Sequence, residues 1–305
     1  MIEAARQSGL DLALAEACDR GLMREENQDS VLHASTPLGE LLMVADGIGG
    51  YEGGGVASRM VIDAVRDTLA LLPPDSPPDL AIREAAARAN AAVLTAATAP
   101  DSRYRHMGST VVLALLRQDS TAIQAWIGHI GDSRAYLFRD GLLSRITTDH
   151  SAVQALLSRN LITPEQAAHH PDASVLTRSI GQEEMVEIDI DMLSLVPGDM
   201  LLLCSDGLWG YVAESQIESS IGPPGDAMEN VAARLLQLAL DAGGHDNIGI
   251  ELARVQTKPI APAGRMHISL FRRRIQFLAV CLLLFAGFGA LLFLALEHHW
   301  WIFAH

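Results

Sequence analysis

Two dense apolar runs constrain this chain most. Leu41-Leu42-Met43-Val44-Ala45 stops at Asp46-Gly47, and Met200-Leu201-Leu202-Leu203-Cys204-Ser205 stops at Asp206-Gly207. A run of this length and apolarity reads as a buried strand, and Asp-Gly reads as the turn that ends it. Each turn would leave a carboxylate at the mouth of a sheet. Asp-Gly is also the ordinary turn dipeptide, and a third copy stands at Asp140-Gly141. By itself the pair favours a structural turn over a ligand. Two further acids are placed to converge with the first two: Asp29, in Arg24-Glu25-Glu26-Asn27-Gln28-Asp29, and Asp246, in Gly243-Gly244-His245-Asp246-Asn247. Carboxylates gathered without paired cations repel one another, so a hard divalent metal is the natural reason to gather them.

Around these points the pattern alternates between groups of strands and pairs of helices. Residues 10–18, 29–34 and 40–45 read as strands. An amphipathic helix over 56–72 runs into a Pro-rich turn, and Asp79 is placed to cap an Ala-rich helix reaching residue 97. Strands follow at 109–116, 122–130, 133–139 and 142–147, the last two joined by Asp140-Gly141. Residues 149–170 read as short helices, with a start signal at Thr163-Pro164-Glu165-Gln166. Strands return at 186–193 and 200–204, then a helix at 227–241 and a strand at 248–254. Strands grouped between helix pairs imply segregated α and β layers, an α+β fold rather than βαβ units.

Five stretches occur in a telling order: Val44-Ala45-Asp46-Gly47-Ile48-Gly49-Gly50, Gly131-Asp132-Ser133-Arg134, Thr148-Asp149-His150-Ser151, Cys204-Ser205-Asp206-Gly207-Leu208 and His245-Asp246-Asn247-Ile248. With Gly21 to Ser30 and Met107 to Val111, they resemble the motif series of the bacterial type 2C (PPM) metal-dependent serine/threonine protein phosphatases, over about residues 10–254. The resemblance implies a four-layer α-β-β-α sandwich of two antiparallel sheets flanked by helices, with a flap over 151–181 beside the metal site. It implies Mg2+ or Mn2+, two per site. Asp46 would bridge them, with the Gly47 carbonyl on one, Asp206 and Asp246 on the other, and Asp29 acting directly or through a water. Asp132 matches the ligand of a third, weaker ion, though a turn aspartate capping neighbouring amides explains it nearly as well. Arg24 would hold the substrate phosphate in its fork of donors. Two cations about 4 Å apart can bridge a water, lower its pKa and clamp the transferring oxygens. Asn247 would orient Asp246.

Three positions depart from the family pattern. Tyr51 stands where the relatives carry a histidine suited to protonate the leaving oxygen, and Gln28 and Gly55 each replace a glutamate. Other residues read as bland. His169-His170 diverge on a helix and read as exposed flap residues, and His129 reads as a satisfied core or sheet-face histidine.

The net charge of −15 argues against a nucleic-acid partner. Three cysteines without paired spacing argue against a disulfide framework or zinc site and fit a reducing compartment. No signal peptide is read at the N-terminus. Residues 275–296 are 22 positions without a charge, following Arg272-Arg273-Arg274. That is about 33 Å as a helix, enough to span a bilayer with the N-terminal domain in the cytoplasm. The expected organisation is a phosphatase domain over 1–256, a basic linker over 257–274, a transmembrane helix over 275–296 and a short outer tail over 297–305. The expected function is a membrane-anchored phosphatase at the inner (cytoplasmic) membrane, acting on phosphorylated proteins opposite a serine/threonine kinase. The alternative is a weakly active or inactive module that binds phosphoproteins at the membrane; the retained aspartates favour the enzyme.

Overall fold

The computed structural model describes residues 2–3, 10–49, 53–119, 122–167, 169–222 and 225–256. All belong to one compact unit, Met1–Gln256. Strands β1 (Ile2–Glu3), β2 (Leu12–Asp19), β3 (Asp29–Thr36) and β4 (Gly39–Ile48) come first, then helices α1 (Gly53–Leu71) and α2 (Pro78–Thr98). Strands β5 (Gly108–Ser109), β6 (Val111–Gln118), β7 (Ile123–Ile130), β8 (Arg134–Arg139) and β9 (Leu142–Arg145) follow. The flap contributes α3 (Ala152–Ser158) and α4 (Pro164–Ala167). The chain then forms β10 (Asp189–Leu195), β11 (Met200–Cys204), α5 (Asp206–Trp209), α6 (Glu214–Ile221), α7 (Met228–Asp241) and β12 (Ile248–Val255).

The strands build two antiparallel sheets, in the orders β1-β2-β12-β11-β8-β9 and β10-β7-β6-β4-β3, with β5 attached to β4. The apolar runs are continuous because both faces of their strands are buried. In β4, Leu41, Met43 and Ala45 face α1 and α2, while Leu42 and Val44 pack between the sheets. In β11, Leu202 and Cys204 face α7, while Leu201 and Leu203 point between the sheets. The result is the α-β-β-α sandwich that the motif series implied.

Several local expectations change. Asp46-Gly47 is not a turn, because β4 continues to Ile48 and pairs there with β5. Asp206-Gly207 opens the short helix α5, and neither α5 nor α6 was expected. Asp79 does not cap α2: Pro77 holds the cap position and Pro78 the first turn, where a missing N–H costs nothing. The Asp140-Gly141 turn is as expected, both residues at positive φ (53° and 84°).

Among the described residues no helix is long and apolar enough to cross a membrane. α1 and α2 have the length, at 19 and 21 residues. Their outward faces carry charges, such as Arg59, Asp63 and Asp67 on α1, that a bilayer would reject. The expected linker, the run 275–296 and the tail lie outside the described residues. The expected fold is corrected to what the described residues show, the α-β-β-α sandwich with no membrane-crossing helix among them.

Candidate active site

The five aspartates are brought together at one mouth of the sandwich by different devices. Register places the first two: Asp29 begins β3 directly opposite Asp46 in β4. Antiparallel partners share a face, so both carboxylates point between the sheets. Asp46 is pinned by Thr110, whose N–H donates to its carbonyl at 2.8 Å and whose hydroxyl accepts from its N–H at 3.0 Å. The Thr110 hydroxyl also shares a proton with Ser133 at 2.7 Å, which ties the Asp46 strand to the turn carrying Asp132. Asp206 is the first residue of α5, so the end of β11 delivers it to the same mouth. Ser205, just before it, donates to the Asp29 carboxylate at 2.6 Å and accepts from the Gly249 N–H at 2.9 Å. Asp246 sits in the loop before β12, its carboxylate accepting from the Asn247 N–H at 2.8 Å and from Arg24 at 2.7 Å.

The glycines beside these acids are there for close approach. A Cβ on Gly47 would lie 2.1 Å from the Gly54 carbonyl, where the start of α1 packs on β4. A Cβ on Gly207 would lie 1.9 Å from the Asn247 carbonyl, where α5 packs on the Asp246 loop. In both places backbone meets backbone, and only glycine fits.

The floor of the site is electrostatically costly. Burial, followed by the charges of Asp206 and Asp246, pushes Asp29 up to about 8. Burial, Asp206 and Asp149 push Asp132 to about 7. Burial and Asp246 push Asp206 to about 6, against the pull of Arg24 and Arg134. Burial and then Asp29 hold Asp46 well above the carboxylate range. The Asp29 Oδ1 and Asp206 Oδ1 atoms are buried with no hydrogen-bond partner among the described residues. Orphaned oxygens in a cluster of repelling acids fit hard divalent cations, and a donor set without histidine or cysteine favours magnesium or manganese over zinc.

Arg24, Asp46, Asp132, Asp206 and Asp246 line a cleft of 760 Å³, faced by flap residues such as Ser174, Thr177 and Ser179 and by Gln182 and Met185 just after the flap. Asp29 lies beneath it, 6% exposed. Every expected site residue is thus in or under one cleft, though two roles differ in detail. Arg24 is half exposed and paired with Asp246. The Asn247 side chain does not touch Asp246. It donates to the Arg20 and Glu26 carbonyls and accepts from the Gln28 N–H, clamping the loop that carries Arg24. Tyr51 lies outside the described residues. Gly55 is buried in α1, and a Cβ there would meet its neighbours at ordinary contact distances of 3.4 Å and more. His169 is exposed, as expected.

One cluster went unread in the sequence. His129, His150 and Asp189 bring three potential ligand atoms within 4.8 Å of one another. The two rings stack at 4.5 Å, and His129 Nε2 reaches the Thr148 carbonyl at 2.8 Å. His150 Nδ1 accepts from the Gly131 N–H at 3.1 Å, which leaves the ring proton on Nε2, facing Asp189 at 3.1 Å. Arg178 enters the same space, 2.7 Å from Asp189. A proton and a guanidinium therefore occupy the position an ion would take. The network joins the flap to the turn beside Asp132, and burial lowers the basicity of His150. Residues spread over positions 129 to 189 offer no spacing from which to predict it.

Residues 23–238 match the protein phosphatase 2C family. The serine/threonine protein phosphatase PstP of Mycobacterium tuberculosis is 39% identical over 259 residues, which cover 82% of this chain and 48% of that protein. The chain thus spans about half the length of that relative. The protein phosphatase PhpP of Streptococcus pneumoniae is 38% identical over 245 residues, covering 77% of this chain and 94% of PhpP. A crystal structure of the catalytic domain of PstP in complex with two manganese ions superposes with a TM-score of 0.70 at 35% identity, covering 81% of this chain and 99% of that one. A divalent-metal site of the family's kind is accordingly present. The family match covers residues 23–238, the described fold ends at Gln256, and no described helix is long and apolar enough to cross a membrane. The expectations of a membrane-anchored enzyme, of the membrane as a partner and of a single-pass inner-membrane location are therefore corrected: what is supported is a phosphatase domain. With fold, cleft and relatives in agreement, the chain belongs to the protein phosphatase 2C family, and its domain is that of a serine/threonine protein phosphatase.

Proposed function

We propose that the domain hydrolyses phosphoserine and phosphothreonine on proteins with two divalent cations, Mg2+ or Mn2+, in the aspartate cleft. The observation that carries this is the pair of buried, unpartnered oxygens on Asp29 and Asp206 among acids that repel one another. Asp46 and the Gly47 carbonyl would hold one ion, Asp206 and Asp246 the other, and Asp29 would support the site from below. Asp132 would take a third, weaker ion. The two manganese ions named for the PstP catalytic domain support the stoichiometry. When bound, the cations supply the positive charge that activates water and offsets charge developing on the phosphoryl oxygens.

The chain's own residues do the rest. Ser205 holds Asp29 at one oxygen and leaves the other directed into the site. Thr110 fixes the Asp46 backbone, so the carboxylate cannot drift along the strand. Arg24 neutralises Asp246, and its half-exposed guanidinium is free on its outer edge to receive a phosphate bidentately. The flap shapes the opposite wall of the cleft.

The test is hydrolysis of a phosphothreonine peptide by the full chain with Mn2+, with Mg2+ and in excess chelator. Turnover with either ion and its loss in chelator are expected. A full rate in chelator overturns the metal reading, and metal-independent peptide binding without turnover overturns the enzyme.

A further inference from the structure

Arg134 stands two residues after Asp132 and begins β8. Register pairs it with Cys204, the last residue of β11 and two positions before Asp206. Its side chain is 11% exposed and makes a bidentate pair with Asp149, at 3.0 and 2.7 Å. Its remaining nitrogen donates to the Tyr136 hydroxyl at 3.1 Å, which in turn donates to Glu214 at 3.1 Å. The guanidinium lies over the Trp209 ring, 3.4 Å from the centroid. Trp209 ends α5 and Asp206 begins it. That helix is a single turn, and residues three apart lie on one face of it. Whatever fixes the Trp209 ring therefore fixes the rotation of α5, and with it the direction of the Asp206 carboxylate.

We propose that Arg134 is a positioning residue for the metal site, holding Asp206 in its ligating direction through the stack on Trp209. The inference rests on the two-cation reading above. Asp149 anchors the guanidinium on one side, so the plate against which Trp209 packs is itself rigid. Lysine cannot replace it: an ammonium has neither the planar face for the indole nor the fork for the carboxylate.

Strand β8 provides its own control. Arg139, at the other end of the strand, also makes a bidentate pair with a buried acid, Asp199, at 2.8 and 2.6 Å, though its own side chain is more exposed. The full chain and its Arg134→Lys and Arg139→Lys variants are titrated with Mn2+, reading free ion by electron paramagnetic resonance, and each is melted. Both variants are expected to lose thermal stability. Only Arg134→Lys is expected to weaken Mn2+ binding, by about 10-fold or more, the range seen when a group supporting a ligand is changed. Should Arg134→Lys fail to fold, Trp209→Leu and Trp209→Phe carry the test, the first weakening Mn2+ binding and the second largely retaining it. Affinity within about twofold of the parent in Arg134→Lys or Trp209→Leu overturns the positioning role. A parent chain that takes up no Mn2+ overturns the metal reading instead.

Discussion

Glu251 lies opposite Glu16 in the register of β12 and β2. Its two carboxylate oxygens are buried and meet no hydrogen-bond donor among the described residues. Burial, then the charge of Glu16, holds this acid well above the usual carboxylate range. An acid whose pKa is raised on folding contributes stability that is whole below its unfolded pKa and is lost as pH rises through the folded value. Glu251→Gln keeps the shape, removes the titration and can donate to Glu16. The variant is expected to match the parent near pH 4 and to exceed it with rising pH, by about 1 kcal/mol or 2–4 °C in Tm at pH 8. Equal melting curves across that range would remove the strain assigned to Glu251. Unlike the site aspartates, it faces no cleft and has no motif around it, so nothing in the sequence distinguished it from an exposed strand glutamate. Asp46, Asp132, Asp206 and Asp246 were legible because each interrupts an apolar or glycine-rich stretch, whereas Asp29, in a polar segment, was legible only through the family resemblance of Gly21 to Ser30. Ser205 and Thr110, which aim Asp29 and hold Asp46, were not, because a hydroxyl in a strand end carries no signal until its partner across the sandwich is known.

At the level of elements, the apolar runs identified β4 and β11 but not how they end. Local statistics give Asp-Gly as a turn; the structure uses glycine to let a second backbone approach. A single-turn helix such as α5 has no periodicity to read, and the start signal at Thr163 yields four helical residues among those described. The packing of α5 on the Asp246 loop is where this difference matters. Gly207→Ala places a methyl group 1.9 Å from the Asn247 carbonyl and must separate two elements that each carry a site aspartate. It is expected to cost about 1–3 kcal/mol of stability, as overpacking does, and to weaken Mn2+ binding as well. A variant with parental Mn2+ affinity would show that α5 and the loop move without disturbing the site.

Across the whole molecule, the raised aspartates make stability depend on whether cations are present. Asp206, Asp132 and Asp29 titrate near 6, 7 and 8 in the folded chain, all above the unfolded value. In chelator, then, the folded state binds more protons than the unfolded state, and stability falls as pH rises from about 4, the unfolded carboxylate value, to about 8. Calorimetry in chelator is expected to show Tm falling steadily across that window, with Mn2+ restoring most at the alkaline end. A flat profile would mean that other groups already neutralise the cluster. The layered architecture was legible from strand grouping and motif order together. The membrane helix expected over 275–296 falls outside the described residues, and no described helix is long and apolar enough to cross a membrane.

The order of strands in the first sheet has a consequence for synthesis. β12, the last strand among the described residues, lies between β2 and β11 and pairs with both along its length. Until it emerges from the ribosome, β2 and β11 each expose an open edge, and Asp246 is not yet in place. A partly made chain can complete the second sheet but neither the first nor the metal cleft. Folding must therefore end with a long-range insertion, a slow kind of step that leaves sheet edges exposed to aggregation. The first sheet and the metal cleft are completed only when β12 reaches β2.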